Sequence, residues 1–309
     1  MNNQHHLPVN IYSDERRTFI INSLKAAGAS FLLTVPGISM AASSIAATKA
    51  LTVQDIIDIL TRPVAGAPFA DTVDTLKSGD KDQEVTGIIT TMFATVPIIR
   101  KAVELKANFI IAHEPTFYNH TDDIKWVEHN DTLKEKQALL AKHKIAVWRF
   151  HDYIHSYHPD SVTYGVMKQA GWEKYYKENE AFHIPSISLK NLVSHLKSAL
   201  NIQHLRVIGD LNQSCEKLVL LPGASGGQAQ ISMAEKFKPD VLIVGELQEW
   251  ETAEYIRDSR ALGSNMALII LGHAVSEEPG MAWLQQWLQP QIGAIKIMHI
   301  PTPDPFTWL

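Results

Sequence analysis

Cysteine is almost absent from this chain of 309 residues, which contains Cys215 and no other. A single cysteine has no partner within the chain for a disulfide bond, and it cannot supply the several thiolates of a structural zinc site. The sequence contains 14 histidines, in contrast. A metal site in this protein would therefore use nitrogen and oxygen ligands.

A concentration of positive charge is also lacking. The formal net charge is -5, and the chain contains no extended run of lysines and arginines. Because surfaces that bind nucleic acids are basic, this composition argues against such a function. Hydrophobic residues make up 45% of the chain, which is enough for a sizeable core in one or two domains.

No long apolar run is free of interruptions. The segment at residues 26–47 is uncharged, but Gly28, Pro36 and Gly37 interrupt it. It is therefore poorly suited to remain as a membrane-spanning anchor.

The same segment is typical of an export signal. It follows the adjacent pair Arg16 and Arg17, and it ends in small residues that offer cleavage sites. A charged region, an apolar region and a small-residue exit form a signal peptide, and paired arginines indicate the twin-arginine type. We expect residues 1–46 to be removed and the mature protein to be periplasmic, without a stable membrane anchor. An ordinary amphipathic N-terminal helix is the alternative.

The segment F-I-I-A-H-E-P, at residues 109–115, is the most informative part of the chain. A short apolar run that ends at a proline predicts a buried strand. His113 and Glu114 then emerge at the carboxyl edge of the sheet, where open α/β folds bind their ligands.

This strand belongs to an internal repeat. Residues 102–114 align without a gap with residues 234–246, and four aligned positions are identical. Each copy follows a predicted strand and helix and precedes a helix and a strand. We therefore predict an α/β fold of two similar α/β domains, the product of an internal duplication. The first would comprise residues 47–165 and 266–309, and the second residues 166–265.

Several local predictions complete the outline of the chain. Residues 61–84 are rich in Pro, Gly and Asp and predict a loop. Residues 161–213 predict two amphipathic helices and a short strand at 205–208, and residues 281–288 predict a helix. The segment P-G-A-S-G-G at residues 222–227 could hold an anion on its backbone N–H groups. A tight strand-to-helix turn is favoured instead, because the Lys-Ser/Thr of a P-loop is missing.

Histidine and glutamate recur at the ends of the predicted strands. The residues concerned are His113, Glu114, His151, His155, Glu246, His273 and Glu277. One such histidine would usually be a hydrogen-bonded structural residue, but the recurrence favours a metal site. Imidazole and carboxylate ligands suit zinc, manganese, iron or nickel. The number of candidates indicates two divalent metal ions bridged by a carboxylate, an arrangement that can hold a hydroxide for hydrolysis.

The chain resembles a known family over residues 50–305. The similar segments are D-T-L-K-S-G-D (74–80), V-T-G-I-I (85–89), F-I-I-A-H-E-P (109–115), P-G-A-S-G-G (222–227), I-V-G-E (243–246) and G-H-A-V-S-E (272–277). These are similar to the Nif3-like dinuclear metal-centre proteins, often labelled GTP cyclohydrolase I type 2-like. The resemblance implies a Nif3-like fold that assembles into a toroidal homohexamer.

The resemblance also implies a ligand set. Carried over position by position, the metal ligands are His113, Glu114, His155, His273 and Glu277. Two of them depart from the family pattern, because Glu114 replaces a histidine and His155 replaces an aspartate. The two changes compensate, so the set keeps three imidazoles and two carboxylates.

The expected function is that of a dinuclear metal-dependent hydrolase with a small-molecule substrate. A metal-bridged hydroxide would be the nucleophile, and His151 and Glu246 are the candidate catalytic proton carriers. Predicted export argues against GTP as the substrate, since the periplasm contains little of it. The alternative is a non-catalytic, metal-binding hexameric scaffold protein, which would show a closed ligand shell rather than an open coordination position.

Overall fold

The structure, a computed structural model, describes residues 50–309, so the predicted signal peptide lies outside the described residues. Within that range, ten strands form two five-stranded sheets. The strands are β1 (Leu76–Ser78), β2 (Ile88–Thr91), β3 (Phe109–Ala112), β4 (Ala146–Arg149), β5 (Phe182–Ser188), β6 (Arg206–Ile208), β7 (Ser214–Leu221), β8 (Val241–Val244), β9 (Ala267–Ile270) and β10 (Ile297–His299).

Nine α-helices accompany these strands in the part of the chain that the structure describes. They are α1 (Val53–Thr61), α2 (Val96–Glu104), α3 (Asp131–Lys142), α4 (Asp152–His155), α5 (Ser161–Gln169), α6 (Leu189–Ala199), α7 (Gly227–Phe237), α8 (Glu254–Ala261) and α9 (His273–Leu288). A π-helical turn at Glu249–Ala253 leads into α8. No helix of residues 50–309 is both long enough and apolar enough to cross a membrane.

The first sheet has the strand order β1-β4-β3-β2-β10, and all its pairs are parallel except that of β1 with β4. Its central strands are buried on both faces, as is usual for parallel strands in α/β folds. Because side chains alternate along a strand, Phe109 packs in a core with α1 and α9, whereas Ile110 packs against α2 and α3.

The second sheet has the order β5-β7-β8-β9-β6. Strands β7, β8 and β9 are parallel, and the two edge strands are antiparallel to them. Helix α6 packs on one face through Leu189, Leu192 and Leu196, and helices α7 and α8 cover the other.

The two sheets confirm the predicted α/β fold of two similar halves. Taken from the antiparallel edge, the orders β1-β4-β3-β2 and β6-β9-β8-β7 correspond strand for strand, and the aligned segments of the repeat form the central strands β3 and β8. The turns before β2 and β7 correspond as well. Asp80 Oδ1 accepts the backbone N–H of Asp82 at 2.9 Å, and Asp210 Oδ1 accepts that of Asn212 at 2.9 Å. The fifth strands differ, because β10 is parallel to its neighbour and β5 is antiparallel.

Three local predictions were wrong. The region of residues 61–84 contains β1, and residues 161–213 contain the additional strand β5. Strand β5 carries Pro185, which an edge strand tolerates because one row of its N–H groups needs no partner in the sheet. Helix α9 begins at His273 rather than near residue 281, with Pro279 inside it.

The chain changes from the second sheet to the first immediately before α9. Strand β9 pairs with β8 and β6, although the predicted boundary at residue 266 assigned it to the first domain. Helix α9 then packs with the first sheet through Met281, Leu284 and Leu288. The other predicted domain limits stay predictions.

Helices α5 and α9 cross closely through glycines. A β-carbon on Gly165 would lie 2.7 Å from the backbone N of Gly280, and one on Gly280 would lie 2.8 Å from Cα of Val162. This crossing fixes the N-terminal turn of α9 beside the carboxyl ends of β3 and β4.

Candidate metal centre

Seven side chains predicted from the sequence lie at the carboxyl ends of strands in both sheets. His113 and Glu114 follow β3, His151 and His155 lie after β4 on the first turn around α4, Glu246 follows β8, and His273 and Glu277 lie one turn apart at the start of α9. Parallel strands present these ends at a common edge, which is where α/β folds gather ligand-binding groups.

His113 lies in the centre of the group. Its side chain is completely buried, and its Nε2 atom lies 3.5 Å from Oε2 of Glu277 and 3.8 Å from Oε1 of Glu114. One ligand atom from each of these three residues falls within 4.8 Å of the others, so they could hold a metal ion.

His273 lies close to the same two carboxylates. Its Nε2 atom lies 3.0 Å from Oε2 of Glu277 and 3.3 Å from Oε1 of Glu114. The Oε2 atom of Glu277 therefore lies within reach of two imidazoles, those of His113 and His273.

His155 lies beside two other histidines of the group, His113 and His151. The ring centroids of His113, His151 and His155 are 4.8 to 5.1 Å apart, and their ligand atoms form a second group within 4.8 Å. His151, predicted as a proton carrier, is thus placed among possible ligands. Glu246 is placed behind His273, on the side of Nδ1.

All four histidines use Nδ1 in the same way. Each Nδ1 lies 2.9 to 3.1 Å from a carbonyl or carboxylate oxygen, which can accept its proton in a hydrogen bond. The acceptors are the Phe150 carbonyl for His113, Asp152 for His151, Asp160 for His155 and Glu246 for His273. With Nδ1 donating its proton, the lone pair of each neutral ring is on Nε2. Such outer contacts orient imidazoles that bind metals.

The interior of the group fits a cation. His113 Nε2 and Glu277 Oε2 are buried without a hydrogen-bond partner. Leaving such atoms unsatisfied is costly, and a metal ion bound between them would remove that cost. Imidazole nitrogen and carboxylate oxygen are ligands that divalent transition metals accept.

The electrostatics agree with this fit. Burial opposes charge on His273, but the carboxylates of Glu114, Glu246 and Glu277 outweigh it and raise its pKa to about 12. Burial likewise works against ionisation of Glu277, yet His113 and His273 hold its pKa well below the usual range. The carboxylates thus stabilise a positive charge between them, and either protons or metal ions can supply it.

Comparison with known proteins identifies the family. The family model of Duf34/NIF3 (NGG1p interacting factor 3) matches residues 51–305. The chain belongs to the Duf34/NIF3 family.

Individual relatives agree with this assignment. A GTP cyclohydrolase 1 type 2 homolog of Clostridium acetobutylicum is 27% identical over 269 residues, which cover 82% of this chain and 94% of the relative. The crystal structure of Staphylococcus aureus hypothetical protein SA1388 superposes with a TM-score of 0.66 at 18% identity, covering 84% of this chain and all of that one. A Bacillus cereus protein related to NIF3 gives 0.66 at 16% identity, covering 85% and 100%. The structures show that the NIF3 fold is shared.

The glycine-rich segment of this NIF3-family protein supports Glu277. It follows β7 and leads into α7, so it is a strand-to-helix turn. Gly223 has a φ of +64°, and a β-carbon there would overlap the carboxylate of Glu277. Its N–H donates to Oγ of Ser276 at 2.9 Å. A glycine is needed at this position for both its backbone conformation and its close approach.

Two residues that were not identified from the sequence hold the NIF3 site in place. The carboxylate of Asp74, inside the quoted D-T-L-K-S-G-D segment, accepts the backbone N–H groups of His151, Asp152 and Tyr153 at 2.7 to 3.0 Å. Arg149 is completely buried at the end of an apolar strand. Its Nε donates to the carbonyl of His113 at 3.2 Å, and its guanidinium lies 3.5 Å from Oε2 of Glu114. The sequence signal that could have identified Arg149 is a single arginine at the end of an otherwise apolar strand.

Proposed function

We propose that this protein is a dinuclear metal-dependent hydrolase that acts on a small molecule. One observation supports the proposal above all: ligand atoms of His113, His151 and His155 lie within 4.8 Å of one another, as do those of His113, Glu114 and Glu277, and Nε2 of His273 lies 3.0 Å from Oε2 of Glu277. In each of the four imidazoles, Nδ1 faces an acceptor outside the group. Imidazoles that all use Nδ1 for an outer hydrogen bond, and so leave Nε2 free to bind a metal, are typical of a metal centre rather than of a hydrogen-bonded core.

The proposed ligands are His113, Glu114, His155, His273 and Glu277, and the geometry adds His151 as a sixth candidate. Two divalent ions, such as zinc, manganese, iron or nickel, would supply Lewis acidity and a nucleophile active near neutral pH.

One side of the centre is accessible. The side chain of His113 is fully buried, whereas those of His151, His155 and His273 are 22%, 31% and 20% exposed. A closed shell of protein ligands would favour a storage or scaffold role, and an open side allows a substrate to approach.

His151 and Glu246, the two candidate proton carriers, differ in their protonation. Burial and the neighbouring charge of His113 lower the pKa of His151 to about 4, so its Nε2 stays unprotonated near neutral pH. The hydrogen bond from His273 lowers the pKa of Glu246, which is therefore an ionised acceptor at the edge of the site. Glu246 can keep His273 oriented. As an ionised carboxylate it could also accept a proton during the reaction, although its lowered pKa makes it a weak base.

The proposal includes a location and an assembly. We propose export through the twin-arginine pathway to the periplasm, which the N-terminal sequence suggests, and a toroidal homohexamer, which the family resemblance implies. The name of the clostridial relative refers to GTP. We propose a different substrate here, because a periplasmic enzyme would find little GTP.

Metal analysis followed by a substrate screen tests the function. Purified protein should contain close to two divalent ions per chain, and the metal-loaded form should hydrolyse at least one class of phosphoester, ester or amide. Chelation should remove that activity, and the metal should restore it. His113→Ala should fail in both assays, whereas His129→Ala, which changes a histidine with a 90% exposed side chain, should pass both. A fully loaded protein with no activity on any of these classes would favour the scaffold alternative.

A further inference from the structure

A cleft of about 190 Å³ adjoins the metal centre. His155 and its acceptor Asp160 form part of its wall, so one end of the cleft is continuous with the proposed ligands. The cleft extends from there between α5, β5, β7 and α7. A molecule with its reacting bond at the metal centre would have space for its remaining part here.

The floor of this cleft is apolar. Met167, Phe182 and Leu220 line it and are themselves 1%, 3% and 8% exposed, and the partly buried Met233 completes it. Well-packed apolar walls of this kind favour a hydrocarbon group, and methionine side chains adapt to its shape.

The charged residues around the cleft disfavour an anion. Its lining includes the carboxylates of Asp160, Glu178 and Glu180 against the single lysine Lys177. A phosphate or carboxylate group would be repelled by this excess of negative charge. An uncharged group is the better match.

Tyr176 adds a hydrogen-bond donor. Tyr176 lines the cleft, and its hydroxyl is buried without a hydrogen-bond partner. Burial raises the pKa of Tyr176, and the charges of Glu178 and Asp160 act in the same direction, so the hydroxyl keeps its proton. Because an unsatisfied buried donor is costly, an acceptor atom on a bound molecule would be stabilised at this point.

We propose that this cleft binds the uncharged, apolar arm of the substrate, and that the substrate is an ester or amide whose acyl group carries an acceptor oxygen for Tyr176. The proposal rests on the hydrolase function above. In the reaction, water gives its oxygen to the acyl carbon, the bond from that carbon to oxygen or nitrogen breaks, and the leaving group receives a proton.

Hydroxamic acids provide a direct binding test, because the hydroxamate group chelates metal ions while its chain samples the cleft. Calorimetry on the metal-loaded full chain would compare acetohydroxamate, butanohydroxamate, hexanohydroxamate and 5-oxohexanohydroxamate. Affinity should rise by about three- to fourfold for each methylene that becomes fully buried. 5-Oxohexanohydroxamate, the keto probe, should bind more tightly than an apolar hydroxamate of equal chain length, because its keto oxygen can accept a hydrogen bond from Tyr176.

Two variants assign these effects to the cleft. Met233→Gln should weaken the dependence on chain length, and Tyr176→Phe should remove the advantage of the keto probe. Tyr175→Phe is the matched control, since Tyr175 is adjacent in the chain but is not part of the cleft lining. Acetohydroxamate affinity and metal content should be the same in all forms.

The outcomes separate the two proposals. Length-dependent binding that Met233→Gln weakens supports the cleft as a binding site even if the metal-loaded protein hydrolyses no ester, amide or phosphoester. In that case the hydrolase function fails, and the ester or amide substrate fails with it. Equal affinity for all chain lengths, or no hydroxamate binding to metal-loaded protein, overturns the cleft proposal. Hydrolysis confined to phosphoesters would overturn the substrate class and leave the hydrolase function in place.

Discussion

The backbone of Gly223 lies directly against the carboxylate of Glu277. A β-carbon at residue 223 would lie well inside van der Waals contact with Oε1, and the N–H of Gly223 is held by the neighbouring Ser276. A turn in the second half of the chain thus limits where the central carboxylate of the metal centre can lie. Gly223 belongs to a turn that carries no catalytic or metal-binding side chain, yet it contacts Glu277, which lies near the imidazoles of His113 and His273.

Gly223→Ala should reduce metal binding. The added methyl group displaces Glu277, so we expect the affinity for metal to fall about 10- to 100-fold, the usual effect of disturbing the support of a metal ligand. The positive φ of +64° should also destabilise the variant by about 1–2 kcal/mol. Metal content per chain and thermal unfolding measure the two effects separately.

Gly226→Ala is the control for that substitution. Gly226 lies in the same turn with a φ of +81°, but nothing lies within 4 Å of its added β-carbon. Its ψ of 151° places it in a region that is essentially restricted to glycine, so Gly226→Ala should show substantial backbone strain together with normal metal content. Equal metal loss in both variants would mean that the turn conformation matters and the contact with Glu277 does not.

Glu246→Gln should weaken metal binding without abolishing it. Glu246 accepts from Nδ1 of His273 at 3.1 Å, and losing the charge of such an outer partner typically costs about 10- to 100-fold in affinity. A competition titration with a chelating dye measures the change. Glu249→Gln, an exposed neighbour that pairs with Arg206, is the control. Unchanged metal affinity with reduced turnover would instead favour the role of Glu246 as a proton carrier.

The elements that the sequence predicted well depend on local patterns. The capping box at Thr52 and Asp55 starts α1, and it can be read from the sequence because capping involves residues three positions apart. Strands β3 and β8 follow from their apolar runs, and their repeat indicated the paired sheets. His113 could be placed from the same run, since a strand end directs its last side chains to the sheet edge.

The remainder depends on distant contacts. Asp74 supports the start of α4 from 77 to 79 residues away, a separation that no local pattern reveals. Strand β5 was missed because Pro185 and its polar neighbours weaken the strand signal, while pairing with β7 supplies what the local sequence lacks. Helix α9 begins at His273 although Pro279 lies inside it, and its close approach to α5 at Gly165 and Gly280 is likewise a contact between residues distant in the sequence.

Lys136 should make stability depend on pH above pH 8. Burial lowers its pKa from 10.5 to about 8, with only Asp122 acting in the opposite direction. Between these values the unfolded chain binds more protons than the folded one, so stability should rise as the pH increases. Relative to Lys136→Met, the wild type should gain about 2–3 kcal/mol across this window in urea unfolding. Lys134→Met, at an exposed position of the same helix, should keep the wild-type profile. Parallel profiles for the wild type and Lys136→Met would contradict the lowered pKa.

Export should depend on the arginine pair. Arg16 and Arg17 lie outside the described residues, and their role is inferred from the sequence. Replacing both by lysine should leave the precursor in the cytoplasm, because the twin-arginine pathway requires that pair and moves folded, metal-loaded proteins. Cell fractionation and precursor size measure this. Normal processing and periplasmic accumulation of the double variant would refute the prediction.

Glu277→Gln should abolish the binding of both metals, whereas Glu114→Gln should mainly weaken one. Oε2 of Glu277 lies 3.5 Å from Nε2 of His113 and 3.0 Å from Nε2 of His273, so its charge serves both sides of the site. Two cations close together repel each other strongly, and a neutral amide between them no longer offsets that repulsion.

The comparison of these variants depends on their different burial and neighbours. Glu114 retains the guanidinium of Arg149 at 3.5 Å, so part of its charge is already offset, whereas Glu277 faces imidazoles alone among its ion-pair contacts in residues 50–309. Glu278→Gln is the matched control, since Glu278 is the next residue of α9 but pairs with His299. Metal per chain should be near zero for Glu277→Gln, about half of the normal value for Glu114→Gln and normal for Glu278→Gln. Equal loss in the first two variants, or two metals retained without the charge of Glu277, would assign the bridge to another residue.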